Sequence, residues 1–373
     1  MGNILLRSPY YDTRAKPTGA LSARLTLADS GGSVIYDIIK NIPTSQTDGA
    51  FEISELIRDY LDIKYSDSLD LNGSSFKFSA TFWWYSGLNG TGSVLSVTST
   101  TDNFGIDGYG YFEDGYNPTT TKGYMQSNNV IYKLADSDLR IPIDRNNTSS
   151  VAYLFENEIQ YSELITSSTT EVFKYIANTT FGVDSFRDRV IQAGGSYESN
   201  ECIIDFLGQN ELFPVDEVHI STTDGLQIIK VITIEECRFS PAKVTFVNRW
   251  GALQDIWFFK KSVESLSVKR EQFKRSISNA GTGSFGTSVH QKQDYNVQSS
   301  KSIDLNTGYV SEQYNEPMQE LLQSEQVWME VDSVITPMNV QDSSLVFKTS
   351  VNDKLVDYKL KLSYAYDTIN NIR

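Results

Sequence analysis

Two histidines, His219 and His290, are the only imidazoles in 373 residues. Histidine is the side chain most often recruited as a general base near neutral pH, so imidazole chemistry rests on these two. His219 sits in EVHIS, within an apolar run, which favours a structural histidine. His290 sits in SVHQKQD beside a Gly/Ser-rich stretch and reads as exposed. A serine nucleophile of the G-x-S-x-G type needs a strained turn that lifts its hydroxyl clear of a sheet, and that pattern does not occur. GTGSFG (281–286) echoes a phosphate loop but lacks the Lys-Ser/Thr ending and the apolar strand before it. Carboxylates are plentiful, which leaves a glycosidase pair open, yet no spacing selects one. Asp102, Asp107, Glu113 and Asp114 lie together in a Gly/Tyr-rich segment. Their spacing misses the alternating oxygen ligands of an EF-hand loop, and they read as solvated turn carboxylates. Cys202 and Cys237 are too few for a disulfide framework or a thiolate zinc site. They are expected as two separate buried thiols. The residues therefore point to no enzyme, no cofactor and no metal.

Binding chemistry has two candidates. Trp83, Tyr109, Tyr111 and Tyr116, with Tyr85, could stack sugar rings through the apolar C–H face of the sugar; strand aromatics more commonly fill cores. The second candidate is a basic run, Lys260, Lys261, Lys269, Arg270, Lys274 and Arg275, set against only Glu264 and Glu271. The whole chain carries 32 Lys and Arg against 47 Asp and Glu, a net charge of −15. Such a chain repels nucleic acid and anionic membrane at long range. The basic run is a local reversal suited to an acidic neighbouring subunit, its alternative being a solvated strand face. No window approaches 18 apolar residues, so no membrane span is expected. The apolar run Ile4 to Leu6 is too short for a signal-peptide core.

The elements that must carry these residues read as strands. FKFSATFWWY places Phe76, Phe78, Ala80, Phe82 and Trp84 on one face by strict alternation. ALSARLTLAD does the same with Leu21, Ala23, Leu25 and Leu27. TDGAFEISELIRDYL predicts a short helix capped by Ser54, with Leu56, Ile57, Tyr60 and Leu61 on one side. Asp224-Gly225 predicts a hairpin turn. TEVFKYIANTT and VDSFRDRVIQAGG predict two further short helices, and NEPMQELLQSEQ a third with Met318, Leu321 and Leu322 inward. NRWG (248–251) predicts a turn between KVTFV and DIWFFKK, the latter apolar on both faces. SNAGTGSFGTS (278–288) reads as a linker or loop tip. VDYKLKLSYAY alternates throughout. The sum is a mainly β chain of two to three antiparallel β-sandwich-like domains with a few short helices. The expected division is 1–98, 99–240 with long Gly/Tyr-rich loops, and 241–373 with the assembly segments.

CRFSPAKVTFVNRWGALQDIWFFKKSVESLSVKREQF resembles a segment of uncharacterised structural proteins of tailed bacteriophages, chiefly marine phages and phages of Bacteroidota. SPYYDTR, FEISELIRDYL, DGYGYFEDG and the order LLQSEQVWME, ITPMNV, long last strand are similar to that group too. The likeness spans most of the chain. It implies a virion protein of tail or baseplate type, assembled in the host cytoplasm, whose partners are other virion proteins and copies of itself. It supplies no active-site residues. A receptor- or glycan-binding module at the tail tip, with a host surface glycan as ligand, is the alternative, and a polysaccharide depolymerase the third. The extended segment 291–310 is a candidate for pairing with a neighbour's sheet edge.

Overall fold

The computed structural model describes residues 2–63, 65, 74–134, 137, 139–155, 160–168, 171–176, 180–181, 213–332, 334–342, 344, 346 and 355–368. It is mainly β, with several sheets and, among the described residues, two short α-helices. The chain divides into two compact units. One comprises Met1–Glu235, Phe246–Ile256 and Gln313–Glu325; the other comprises Glu236–Thr245, Trp257–Glu312 and Gln326–Arg373.

The first unit holds an N-terminal sheet in the order Val34–Asn41, Ser22–Asp29, Ser75–Tyr85, Val94–Ile106, Asn3–Leu5, Thr119–Thr120. Alternation sets its inner face. Ala23, Leu25, Leu27, Phe78, Ala80, Phe82 and Trp84 are buried, and they pack with Phe51, Ile53 and Ile57. Each such large apolar side chain contributes ~1.5–3 kcal/mol by leaving water. The short helix is Ser54–Arg58, but its N-cap is Ile53 and makes no side-chain cap bond. Ser54 is instead the first helical residue. Its hydroxyl accepts the Tyr10 amide N–H at 3.3 Å and donates to Glu52 at 3.2 Å, so the expected cap is spent on a neighbouring strand. Asn3–Leu5 runs parallel to Val94–Ile106, about a hundred residues away in sequence.

A middle sheet follows in the order Gln160–Leu164, Thr148–Phe155, Phe213–Thr222, Gly225–Ile234, Val130–Leu134. Val151, Tyr153, Val218, Ile220, Ile229 and Val231 fill its core. The hairpin forms one residue ahead of the Asp224-Gly225 pair expected as its loop. Thr222 pairs directly with Gly225, so Thr223 and Asp224 form the two-residue loop, and Gly225 takes a φ of 116°. The helix expected from TEVFKYIANTT is instead the strand Phe173–Ile176, paired with Ile141–Asp144. Phe173 and Tyr175 are buried, a period-2 demand that overrides the weak helical pattern of this aromatic and β-branched run. The helix expected from VDSFRDRVIQAGG lies outside the described residues, as does Cys202. Cys237 is exposed, contrary to the expected buried thiol, because it lies in the loop ahead of the strand Ala242–Val247.

NRWG is a turn, as its residues predict. Asn248 Oδ1 accepts the amide N–H groups of Trp250 and Ala252, both at 3.1 Å. Gly251 has a φ of 73°, and a Cβ there would meet the Asp107 backbone at 2.8 Å, so no other residue fits without displacement. Ala242–Val247 and Leu253–Phe258 flank the turn and end a seven-stranded sheet in the order Leu253–Phe258, Ala242–Val247, Val327–Val331, Val334–Val340, Leu355–Tyr364, Lys292–Ser311, Val263–Lys274. Ile256, Phe258 and Phe259 are buried, and Trp257 stacks on Phe259 with 6.2 Å between ring centroids. Phe258 and Phe259 are thus core, but the strand is not apolar on both faces as expected: the side opposite Ile256 and Phe258 sets Asp255 and Trp257, neither fully buried, beside buried Leu253. The helix Asn315–Gln323 belongs to the first unit. Its inner face is Met318, Leu321 and, unexpectedly, Glu320; Leu322 is only half-buried.

Candidate assembly interface

The basic run forms the strand Val263–Lys274 and its approach. Its residue types favour a strand, with Val, Ser and Leu alternating before the charges begin. It pairs antiparallel with Lys292–Ser311, from Val263 opposite Asp304 to Lys274 opposite Lys292. Lys292–Ser311 pairs on its other side with Leu355–Tyr364 only from Ser302 onward. Among the described residues, the stretch from Leu266 to Lys274, with its partners up to Lys301, is thus a two-stranded arm whose tip is the Gly/Ser-rich loop; near its base the Thr368 amide N–H donates to the Ser299 carbonyl at 3.3 Å. Eleven of the twelve residues of Val263–Lys274 are exposed. Nine residues beyond the sheet reach ~30 Å at ~3.3 Å each.

The arm has two unlike faces. Residues directly opposite in an antiparallel pair share a face. Leu266 opposite Lys301, Val268 opposite Ser299 and Arg270 opposite Val297 make one face apolar and basic. Ser265, Ser267, Lys269 and Glu271, with Asn296, Gln298, Ser300 and Ser302, make the other face polar. Leu266, Val268 and Val297 are exposed. A bulge between Glu271 and Gln272 shifts the register near the tip, where Phe273 and Tyr295 meet as rings 6.1 Å apart. Long exposed edge strands recruit other strands unless charges or bulges blunt them; this arm carries both an exposed apolar row and those devices.

Three of the six basic residues are tied down. Lys260 Nζ donates to Glu236 at 2.9 Å, and its stem lies against Gly308. Arg270 pairs with Asp294 at 2.9 Å. Arg275 Nε donates to the His290 carbonyl at 3.1 Å. Lys261, Lys269 and Lys274 are exposed and make no ion pair among the described residues. Hydrogen bonds from Arg270 and then Gln272 hold the Asp294 carboxyl below the usual carboxylate range. Those from Asn296 and Tyr295 do the same for Glu271. The arm's acids are thereby engaged within it, leaving its lysines as the free charges.

The candidate sugar-binding aromatics do not form one platform. Trp83 lies on the outer face of the N-terminal sheet, opposite Val97 and Arg24. Tyr109 and Tyr111 meet edge to face; Arg7 lies over the first ring and Arg249 over the second, at 5.0 and 4.2 Å from the centroids. Tyr116 is exposed and stacks on Tyr11. Of the four acids expected as solvated, Asp107 is buried and held by Arg58 Nε at 2.9 Å. Burial pushes its carboxyl up, against the opposing pull of Arg58. Asp114 pairs with Arg249, and Asp102 with Lys77 at 2.6 Å. His219 is half-buried beside Glu217 at 2.9 Å, and His290 is exposed. No group of His, Cys, Asp and Glu among the described residues is placed to hold a metal ion, and no helix among them is long and apolar enough to cross a membrane.

Sequence reasoning found the basic residues but not the apolar row they frame. Leu266 and Val268 were legible as alternating with serine. Their union with Val297 depends on pairing across the hairpin, which a single strand does not encode. No protein-family model matches the chain, and no curated protein matches it.

Proposed function

We propose that this protein is a structural component of a tailed-bacteriophage virion, in the tail or baseplate, and that it works by assembly without turnover. The observation that carries the reading is the two-stranded arm: a 12-residue strand, exposed almost throughout, with an apolar–basic face and two lysines, Lys269 and Lys274, that make no ion pair among the described residues. An isolated two-stranded ribbon is marginal in water, so a ribbon of this length gains most where a partner covers it. The resemblance of NRWGALQDIWFFKK and its flanks to phage structural proteins points the same way. Free lysines in a chain of net charge −15 suit an acidic neighbour and steer its approach. The test is mass spectrometry of particles purified by density gradient from producing cells. The chain should be present at a fixed ratio to other tail proteins; its absence from washed particles refutes the reading.

A further inference from the structure

The arm also leaves a bare strand edge. Val263–Lys274 is the last strand of its seven-stranded sheet, and among the described residues Lys292–Ser311 is its only strand neighbour. Its other edge therefore presents unpaired backbone N–H and C=O groups, which another strand can take up. The pairing with Lys292–Ser311 is regular from Val263 to Glu271 and breaks at the bulge between Glu271 and Gln272. That regular stretch, residues 263 to 271, is ~30 Å long, and its midpoint is Ser267. Within it Lys269 and Arg270 balance Glu264 and Glu271, so it carries no net charge. The basic excess lies beyond it, at Lys260 and Lys261 on one side and at Lys274 and Arg275 on the other.

We infer that this edge pairs antiparallel with the same edge of a second copy of the chain, about a two-fold axis through Ser267. Residues directly opposite in an antiparallel pair share a face. A two-fold pairing within one continuous sheet must therefore pass through a residue, and that residue fixes every other pair. With Ser267 opposite itself, Leu266 of each copy lies opposite Val268 of the other, Ser265 opposite Lys269, Glu264 opposite Arg270, and Val263 opposite Glu271. Apolar meets apolar, and two ion pairs form across the axis. Glu264, Leu266, Val268 and Arg270 are all exposed in the single chain. Arg270 has donors left beside its bond to Asp294, and Glu264 has a second oxygen beside the one that accepts the Tyr364 hydroxyl. Moving the axis by one residue loses this match. An axis at Leu266 sets Glu264 against Val268, and one at Val268 sets Leu266 against Arg270. Axes at Lys269 or Arg270 set like charges face to face. Past the paired stretch Lys274 comes level with Lys260, whose ammonium Glu236 already holds.

The charges that would blunt such an edge thus match when it meets itself. The contact is isologous and closes as a dimer. It consists of about eight to ten backbone hydrogen bonds and one short apolar row, so it is weak and concentration-dependent. It rests on the assembly reading and adds the partner, the register and the symmetry.

Charge-swap complementation between full-length variants tests this. In sedimentation velocity up to several hundred micromolar, wild type should reach a dimer and nothing larger. Glu264→Arg sets arginine against arginine twice in each pair, and Arg270→Glu sets glutamate against glutamate twice, so each alone should stay monomeric. Mixed in equal amounts they should dimerise again, because every arginine then faces a glutamate. Ser267→Cys, with Cys202 and Cys237 replaced by serine, reads the register without touching a charge. Directly opposite residues lie about 4.5–5.5 Å apart at Cα, within disulfide reach, so mild oxidation should link the dimer through position 267. Ser265→Cys in the same background is the control: its two copies lie four residues apart along the strands, ~14 Å, and should not link. Positions 264, 265, 267 and 270 are exposed, so circular dichroism should match wild type throughout. A monomeric wild type overturns the pairing, as do association that survives either single substitution, a mixture that stays monomeric, or failure to link at 267. None of these results decides whether the chain is found in particles, which judges the assembly reading separately.

Discussion

Glu320 sits on the inner face of the helix Asn315–Gln323 with no solvent exposure, and neither carboxyl oxygen has a hydrogen-bond partner of good geometry. Burial and then the nearby charge of Glu316 push its pKa up to about 8; the Arg249 backbone N–H, the Ser127 hydroxyl and the Arg249 charge offset this only in part. Tyr109, Tyr111 and Tyr124 also face it, and burial raises all three phenols. At pH 7 the native carboxyl thus keeps its proton while the unfolded one, near 4.5, gives it up. Well below pH 4.5 both states are protonated and the linkage penalty vanishes. As pH rises the unfolded state gains ~1.4 kcal/mol per pH unit. The penalty reaches about 3 kcal/mol at pH 7 and levels near about 5 kcal/mol once the native carboxyl ionises above 8. Glu320→Gln removes the titration and keeps the shape. Urea unfolding of wild type and variant at pH 4.5, 7 and 9 should show a stability difference that grows with pH in favour of glutamine. Every other titrating group is common to both proteins. A difference that does not change with pH refutes the buried, protonated carboxyl.

Three further outcomes follow from packing. Gly251→Ala forces a side chain onto a left-handed backbone and against the Asp107 main chain, and should lower stability by more than ~1 kcal/mol in chemical denaturation. Arg140 and Asp255 form a bidentate pair, both nearly buried; Arg140→Met strands the carboxylate and should cost ~3–5 kcal/mol, read as a drop in unfolding midpoint, with Asp255→Leu in the same chain recovering much of it. Cys237 is exposed, so its thiol should react with a maleimide in the native protein without unfolding, read as label on the peptide that contains it.

Strand alternation made much of the fold readable. FKFSATFWWY and ALSARLTLAD bury the residues their period-2 pattern selects, and NRWG and the Asp224-Gly225 region turn where their residues allow positive φ. Other features depend on partners distant in sequence. Asn3–Leu5 is three residues long and finds its parallel neighbour about a hundred residues away; nothing local to NIL announces it. Phe173–Ile176 is a strand because Ile141–Asp144 lies beside it. Asp107 looked like its solvated neighbours until Arg58 and the tight approach of Gly251 enclosed it. Glu320 lies in a helix whose polar pattern gave no sign of burial. At the candidate interface the charges were legible from composition. The bareness of the arm was not, because alternation predicts a face but not whether anything covers it.

The central claim is that the arm joins this chain to a neighbour in a virion. Electron cryomicroscopy of the intact particle, at side-chain resolution in the tail, tests it most directly. The account predicts repeated copies of the chain with Leu266, Val268, Lys269 and Lys274 buried against another subunit. Particles that lack the chain, or copies whose arms stand in solvent throughout, would contradict it.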